Sequence, residues 1–417
     1  MSARDELVVF LDAADLGPAR PVGVLTRWPG HVLAVSFAYA ASWLRAGSGV
    51  GAFAIDPTLP LVEGLSPVPG RRLPGIFADT APDAWGQALL RRSDGRDLDE
   101  WGLLTGVADQ MRMGALRLRR GIDGPFVSER DPSVPPVTAL RTLQAAARRF
   151  EEDPDASGTD PEIAQLIAPG SSLGGARPKA NYRAPDGSLW IAKFPSRTDR
   201  RDVGAWEHVY AQLARVSGID VPDTDLLAVA GSARTFTTRR FDRTPGGRRL
   251  YASALTLTGR TTTEDADYAD IARAITANVA AASVRDDLVQ LYRRMAFNVL
   301  AGNRDDHLRN HGFLRTPAGW RLAPAFDMNP AREMREHATS VNGRAIAPSA
   351  SDVLAARVHV GLSEGAARTV ISEVAAALVM WPDLARRAGI SRSEQDQVGV
   401  AFAGLATVAD LGAGASG

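Results

Sequence analysis

Leu291-Tyr-Arg-Arg-Met-Ala-Phe-Asn-Val-Leu300 runs directly into Ala301-Gly-Asn-Arg-Asp-Asp-His-Leu-Arg-Asn310, and the junction between these stretches decides how the chain is read. Leu291, Met295 and Val299 recur at helical spacing and predict one buried stripe on a helix. The segment after them is polar and begins with a glycine, so it predicts a loop. Asp305 and Asn310 stand five apart in it. A carboxylate can orient a hydroxyl and accept its proton, and an amide oxygen can bind a hard divalent cation. Two strand-like runs follow, Phe313 to Arg315 and Trp320 to Leu322, and then Ala323-Pro-Ala-Phe-Asp-Met328. Asp327 there offers a further hard oxygen ligand. One carboxylate and one amide suffice for Mg²⁺ when phosphate oxygens and water complete its shell.

Upstream, Pro169-Gly-Ser-Ser-Leu-Gly-Gly-Ala-Arg-Pro178 is rich in glycine and serine. Small residues let backbone N–H groups approach phosphate oxygens, although such a loop is a weak signal alone. No Gly-Lys-Ser/Thr follows it, which disfavours a P-loop nucleotidase. Lys179 to Ala184, a Pro185-Asp-Gly187 turn and Ser188 to Phe194 predict a β-hairpin, with Leu189, Ile191 and Lys193 on one face. A helix is expected over Asp202–Ser217, and a second hairpin over Leu226–Arg240. Glycine-rich loop, strand, turn, strand ending in lysine, then a helix with a glutamate is the order of a protein-kinase N-lobe. In that order Lys193 would reach the α- and β-phosphates, with Glu207 as its ion-pair partner. The Asp305-to-Asn310 spacing and the later Asp327 match a kinase catalytic loop and metal-binding aspartate.

Lysine usage points to the same segment. Of 48 basic residues only Lys179 and Lys193 are lysines; the rest are arginine. A compact ammonium on a thin stem is not replaceable by a broad planar guanidinium at every site. Both lysines are therefore candidates for positions where arginine does not serve.

The remaining composition sets limits. The chain has 417 residues, 45% hydrophobic and 23% charged, which is globular. Basic and acidic residues balance at 48 each, unlike a protein whose main task is to coat nucleic acid or an anionic membrane. With no cysteine, disulfides, thiolate metal sites and thiol catalysis are excluded. No cleavable hydrophobic core is visible near the N-terminus, and Val32–Leu44 is shorter than the roughly 20 residues of a membrane span. A cytoplasmic location without membrane association is expected. Leu7–Leu11 and Val22–Leu25 read as strands, Phe37–Leu44 as a short helix, Asp83–Arg92 and Ala139–Phe150 as helices, and the acidic Glu151–Asp160 as a loop. Beyond about 265 the chain reads as largely helical. His307 and His311, four apart, could instead pair on a metal with Asp305 or Asp327, but Leu308 stands where a zincin needs glutamate.

At these residues the sequence resembles the HipA family, the kinase toxins of bacterial type II toxin–antitoxin modules. The matching pieces are Ser171-Ser-Leu-Gly-Gly-Ala-Arg-Pro-Lys179, Trp190-Ile-Ala-Lys-Phe-Pro195, Arg239-Arg-Phe-Asp-Arg243, Asn303-Arg-Asp-Asp-His-Leu-Arg-Asn310 and Arg321-Leu-Ala-Pro-Ala-Phe-Asp327. Leu59-Pro60-Leu61, Leu73-Pro-Gly-Ile-Phe-Ala78 and Pro82-Asp-Ala-Trp-Gly86 resemble the family's N-terminal domain. The resemblance implies an α+β, protein-kinase-like bilobal fold with a β-rich N-lobe, an all-helical C-lobe and an extra small α/β N-terminal domain. The expected divisions are 1–125, 126–262, 263–411 and a tail over 412–417.

It also implies a serine/threonine kinase using ATP and Mg²⁺. Asp305 would be the base, Asn310 and Asp327 the metal ligands, and Lys193 the phosphate lysine. Gly174, Gly175, Ala176, Arg177, Pro178 and Lys179 would line the phosphate loop. Arg239, Arg240 and Phe241 would form the hinge against adenine, with His307 and Asn310 also at the nucleotide. Ser172, with Ser171 beside it, matches the family's autophosphorylated loop serine. The implied partners are a protein substrate, such as an aminoacyl-tRNA synthetase, and a small helix-turn-helix antitoxin of HipB type, with DNA reached only through the antitoxin. Asp306 stands where the best-known form of the motif has glycine, and brings a second carboxylate beside the base, where it could alter the metal geometry. Two other readings of the chain are a small-molecule phosphotransferase of aminoglycoside or choline kinase type, and a non-catalytic co-repressor of a DNA-binding antitoxin.

Overall fold

A computed structural model describes residues 4–28, 30, 34–45, 51–68, 72–94, 97–128, 134–154, 166 and 175–413. The chain divides into two compact units. One is Met1–Arg197 with Arg239–Gly259 and Leu314–Pro317; the other is Thr198–Thr238, Arg260–Phe313 and Ala318–Gly417.

The first unit is built on a five-stranded antiparallel sheet. Its strands are β1 (Asp5–Leu11), β2 (Arg20–Trp28), β3 (Ala34–Tyr39), β4 (Leu65–Pro67) and β5 (Leu116–Arg119), in the order β4-β3-β2-β1-β5. Leu7, Val9 and Leu11 alternate along β1 and are buried, as period-two patterning requires of a strand with one covered face. The reading of Phe37–Leu44 as one helix is corrected here. Phe37–Tyr39 ends β3, paired with β2 through Leu25↔Phe37 and Gly23↔Tyr39, and only Ala41–Leu44 is helical. Phe37 packs edge-on against Tyr39 at 5.0 Å and near Phe77 at 5.7 Å, so sheet packing overrides a segment with no strong local preference.

The expected helices form at Ala84–Asp94 and Leu140–Glu152. Leu140, Leu143, Ala147 and Phe150 supply the second helix's buried stripe. Glu151 and Glu152 end this helix rather than opening a loop; residues 155–160 of the expected acidic loop lie outside the described residues. The predicted hairpin forms as β6 (Lys179–Arg183) and β7 (Leu189–Lys193), in the register Lys179↔Lys193 and Tyr182↔Trp190. Its turn is closed by Asp186, whose Oδ1 accepts from the Ser188 amide at 2.9 Å.

The second unit is mainly helical. Asp202 caps Val203–Val216 by accepting from the Ala205 amide at 3.0 Å. The second predicted hairpin is β8 (Thr224–Leu227) with β9 (Thr235–Arg239). Val284–Ala301 is the longest helix among the described residues, and Leu291, Met295 and Val299 are buried along it as the spacing predicts. Glu364–Leu378 adds a further buried stripe, and Trp381 stacks on Phe402 at 4.9 Å. Beyond 265 the expected strand pair forms at Gly312–Thr316 and Gly319–Leu322, and the helical reading is corrected at a further place: Ala266–Asp267, Glu336–Val341 and Arg344–Ile346 form a small sheet, its first pair parallel. Gly412 and Ala413 finish a short helix, and the rest of the tail lies outside the described residues. Among the described residues no helix is long and apolar enough to cross a membrane.

Candidate active site

In the second unit the polar loop is set by the end of its helix. Val284–Ala301 stops at Gly302, which takes a left-handed φ of 66°. A Cβ there would lie 2.5 Å from the Ala401 carbonyl oxygen, so only glycine ends the helix at this point. The Tyr210 hydroxyl donates to the Ala301 carbonyl, tying the Glu207-bearing helix to the start of the loop. Glu207 itself is buried on that helix.

Within the loop the chain turns adjacent carboxylates to opposite sides. Asp305 is exposed, whereas Asp306 is buried at 1%. Asp306 Oδ2 accepts from the Tyr268 hydroxyl and, at 3.3 Å, from Asn298 Nδ2. Its backbone carbonyl accepts from Thr339 Oγ1 at 2.8 Å, and His337 Nδ1 lies 3.8 Å from Oδ1. Asn298 donates to the Tyr268 oxygen at 2.9 Å and accepts from Asn303 Nδ2 at 3.0 Å, which completes the network. Burial, reinforced by the Asp306 charge, keeps the Tyr268 phenol protonated well above its ordinary range. The Asp306 carboxylate therefore lies on the inner side of the loop, held by Tyr268 and Asn298.

Asn310 is locked in the complementary sense. Its Nδ2 donates to the Asp305 carbonyl at 2.8 Å, which leaves Oδ1, the atom a hard cation would take. Asp327 holds a positive φ of 57°, a conformation uncommon outside glycine and one that clusters at functional sites. Desolvation raises the Asp305 pKa; His307 opposes the shift, and the Asp327 and Asp306 charges add to it. The Asp327 charge is thus felt at Asp305, and an amide oxygen and a carboxylate are the kind of hard donors Mg²⁺ takes.

The alternative histidine–metal reading has little support. The His311 ring is buried and meets Tyr268 edge-on at 5.6 Å. Among the described residues no group of three or more His, Cys, Asp or Glu could hold a metal ion.

In the first unit Gly175 takes a φ of 60° and, with Ala176, is exposed. Arg177 Nη2 donates to the Phe194 carbonyl at 3.3 Å, and the Phe194 amide donates to the Pro178 carbonyl at 2.8 Å. Lys179 and Lys193 are both buried, at 3% and 5%, and face each other across the hairpin. Ser171, Ser172 and Gly174 lie outside the described residues.

The segment 239–241 joins this hairpin through its backbone, the Arg240 amide donating to the Leu189 carbonyl at 2.9 Å. The Arg240 guanidinium turns inward, to Asp242 at 2.8 Å, Asn181 Oδ1 at 3.1 Å and the Met111 carbonyl at 2.9 Å. Its charge is thus buried and paired with Asp242. Arg239 is half-buried, and the Phe241 ring lies 6.0 Å from Tyr251.

Sequence reasoning left Asp83, Tyr268 and Asn298 without roles. Asp83 pairs with Lys179 at 2.6 Å, and Trp85 Nε1 donates to the Lys179 carbonyl at 3.0 Å. Pro82-Asp-Ala-Trp-Gly86 is visible as a motif, but nothing local says what it meets 96 positions away.

The HipA-like C-terminal domain family matches residues 171–381, and the HipA N-terminal domain family matches 16–119. A protein of Sinorhizobium fredii (strain NBRC 101917 / NGR234) named "Putative kinase Y4dM" is 32% identical over 162 residues, 34% of this chain and 37% of that protein. The chain thus spans little more than a third of that relative's length. HipA of Shewanella oneidensis MR-1, solved with HipB and its operator DNA, aligns over 97% of this chain and 96% of its own, with a TM-score of 0.67 and 18% identity. At that identity the likeness is one of fold, and the fold is the expected α+β, kinase-like one.

Proposed function

The chain belongs to the HipA family, and from that premise we propose that it is an ATP- and Mg²⁺-dependent serine/threonine protein kinase acting as the toxin of a toxin–antitoxin module. The observation that carries this reading is the loop 303–310. There Asp305 faces outward while Asp306 is anchored in the core and Asn310 is fixed to the Asp305 carbonyl.

In this reading Asp305 orients the substrate hydroxyl and accepts its proton. Asn310 Oδ1 and Asp327 are the cation ligands. Bound Mg·ATP supplies the transferable γ-phosphoryl group and a cation that offsets its charge. Lys193 binds the α- and β-phosphates, with Glu207 as its partner, and Gly175 to Lys179 cradle them through backbone amides. Adenine is held by the backbone of 239–241, since the Arg240 side chain is committed elsewhere. The modified serine is Ser172 or Ser171. The substrate is a cellular protein, an aminoacyl-tRNA synthetase being one candidate, and the partner is a HipB-type antitoxin that carries any DNA contact. The match to the HipA N-terminal domain, and a relative solved with HipB and DNA, support that partner.

The test is incubation of the purified protein with labelled ATP and Mg²⁺, followed by phosphopeptide mass spectrometry. Label on Ser171 or Ser172 in the wild type, absent from Asp305→Asn, is expected. A protein that phosphorylates small alcohols or aminoglycosides and never itself would overturn the assignment.

A further inference from the structure

We propose that Asp83 is a positioning residue for the phosphate loop, holding the Lys179 ammonium against the Gly175 carbonyl so that triphosphate meets a loop already in place. The proposal rests on the kinase reading above and names a residue to which that reading gives no role.

Lys179 Nζ lies 2.6 Å from Asp83 Oδ2 and 3.1 Å from the Gly175 carbonyl oxygen. One ammonium therefore ties the carboxylate to the loop backbone four residues before it. The carboxylate is fixed from its other side as well. Asp83 Oδ1 accepts from the Gly86 amide at 2.9 Å, and the Asp83 carbonyl from the Gln87 amide at 2.8 Å, at the start of Ala84–Asp94. From the same helical turn, Trp85 Nε1 holds the Lys179 carbonyl. The Trp85 ring is braced edge-on against Phe150 at 5.1 Å.

Charge makes the carboxylate necessary. Lys179 and Lys193 are direct cross-strand neighbours, both nearly inaccessible to water. Like charges directly opposite each other on paired strands repel, and a buried cation is costly unless paired. Asp83, 11% exposed, supplies the compensating charge for Lys179. The same arrangement accounts for a lysine surviving here in a chain that otherwise uses arginine. Nζ reaches one carboxylate oxygen and one carbonyl as a compact point charge, a geometry a planar fork does not reproduce.

Asp83→Asn removes the charge and keeps the Oδ1 acceptor of the helix start, so it isolates the ion pair. Calorimetric binding of Mg·ATP and of adenosine to the full chain, wild type and variant, tests the idea. Mg·ATP affinity is expected to fall about tenfold or more, with adenosine affinity within about twofold, because only ligands bearing phosphates use the loop. Asp83→Asn/Lys179→Met should bind Mg·ATP no more weakly than Lys179→Met alone. If Asp83→Asn does not fold, Asp83→Glu, which keeps the charge and displaces it by one methylene, should show the same ATP-selective loss. Equal losses for ATP and adenosine, or an unchanged ATP affinity, overturn the proposal and leave the kinase reading standing. A wild type that binds no ATP overturns the kinase reading, and this proposal with it.

Discussion

Asp305 and Asp306 are chain neighbours with opposite fates: Asp305 reaches solvent, and Asp306 is buried beneath it, accepting from the Tyr268 hydroxyl. A loop presenting an exposed carboxylate must resist collapse onto its own helix. Asp306 meets that need by occupying the inner side of the loop with a hydrogen-bonded anchor. The two identical side chains thus face opposite ways, and the role proposed for each can be tested by itself.

Asp305→Asn is expected to lower phosphoryl transfer by about 10²-fold or more, the usual scale of a general base. It should not lower stability. Desolvation and the Asp327 and Asp306 charges raise the Asp305 pKa, so the ionised form is disfavoured in the folded state. Removing that charge at neutral pH should leave Tm unchanged or slightly higher. Activity lost together with a large fall in Tm would mean that Asp305 is structural.

Tyr268→Phe deletes one hydroxyl and leaves Asp306 short of a donor. The expected cost is about 1–3 kcal/mol in urea unfolding, typical of a buried polar group left unsatisfied. Asp306→Ala should cost more, because it strands the phenol and the Asn298 amide together. Unchanged unfolding midpoints in both variants would show that the network does not hold the loop.

Asp242 is fully buried between Arg240 and Arg243, and Oδ2 also accepts from the Gly114 amide at 2.8 Å. Burial alone would raise its pKa, but the two guanidinium groups outweigh it and hold the carboxyl well below the ordinary range. The sign follows from a depressed folded-state value. The stabilisation is present above the unfolded pKa of about 4 and drains as pH falls towards the lower folded value. Asp242→Ala should therefore cost about 3–5 kcal/mol at neutral pH. The Tm gap to wild type should narrow as pH drops below about 4. A gap independent of pH would exclude the carboxylate charge as its source.

Gly302→Ala forces a side chain into a left-handed residue, at about 1–2 kcal/mol, and sets its Cβ against the Ala401 carbonyl. Lower stability and slower phosphoryl transfer are expected together, because the helix end aims the loop. Denaturant unfolding and a transfer assay on one preparation check both; loss of neither would show that the helix end tolerates another cap.

Much of the architecture was legible because its signals are local. The stripe Leu291, Met295 and Val299 and the Pro185-Asp-Gly187 turn each lie within a few residues of what they determine. The spacing of Asp305 and Asn310 was equally visible, since both belong to one loop. Phe37–Tyr39 was misread because a short apolar run carries no strong period of its own. Its strand identity comes from pairing with β2 and from the Phe77 ring.

From the residues alone came the family, the α+β kinase-like fold, and the notice that Lys179 and Lys193 are the chain's two lysines. Tertiary structure alone decided which way each charge points: Asp306 inward, Arg240 to Asp242, and Lys179 to a carboxylate 96 positions distant. Periodicity and spacing report on neighbours along the chain. The partner of a buried charge is whatever the packed fold brings within a few ångströms, because desolvation leaves an unpaired ion too costly to keep.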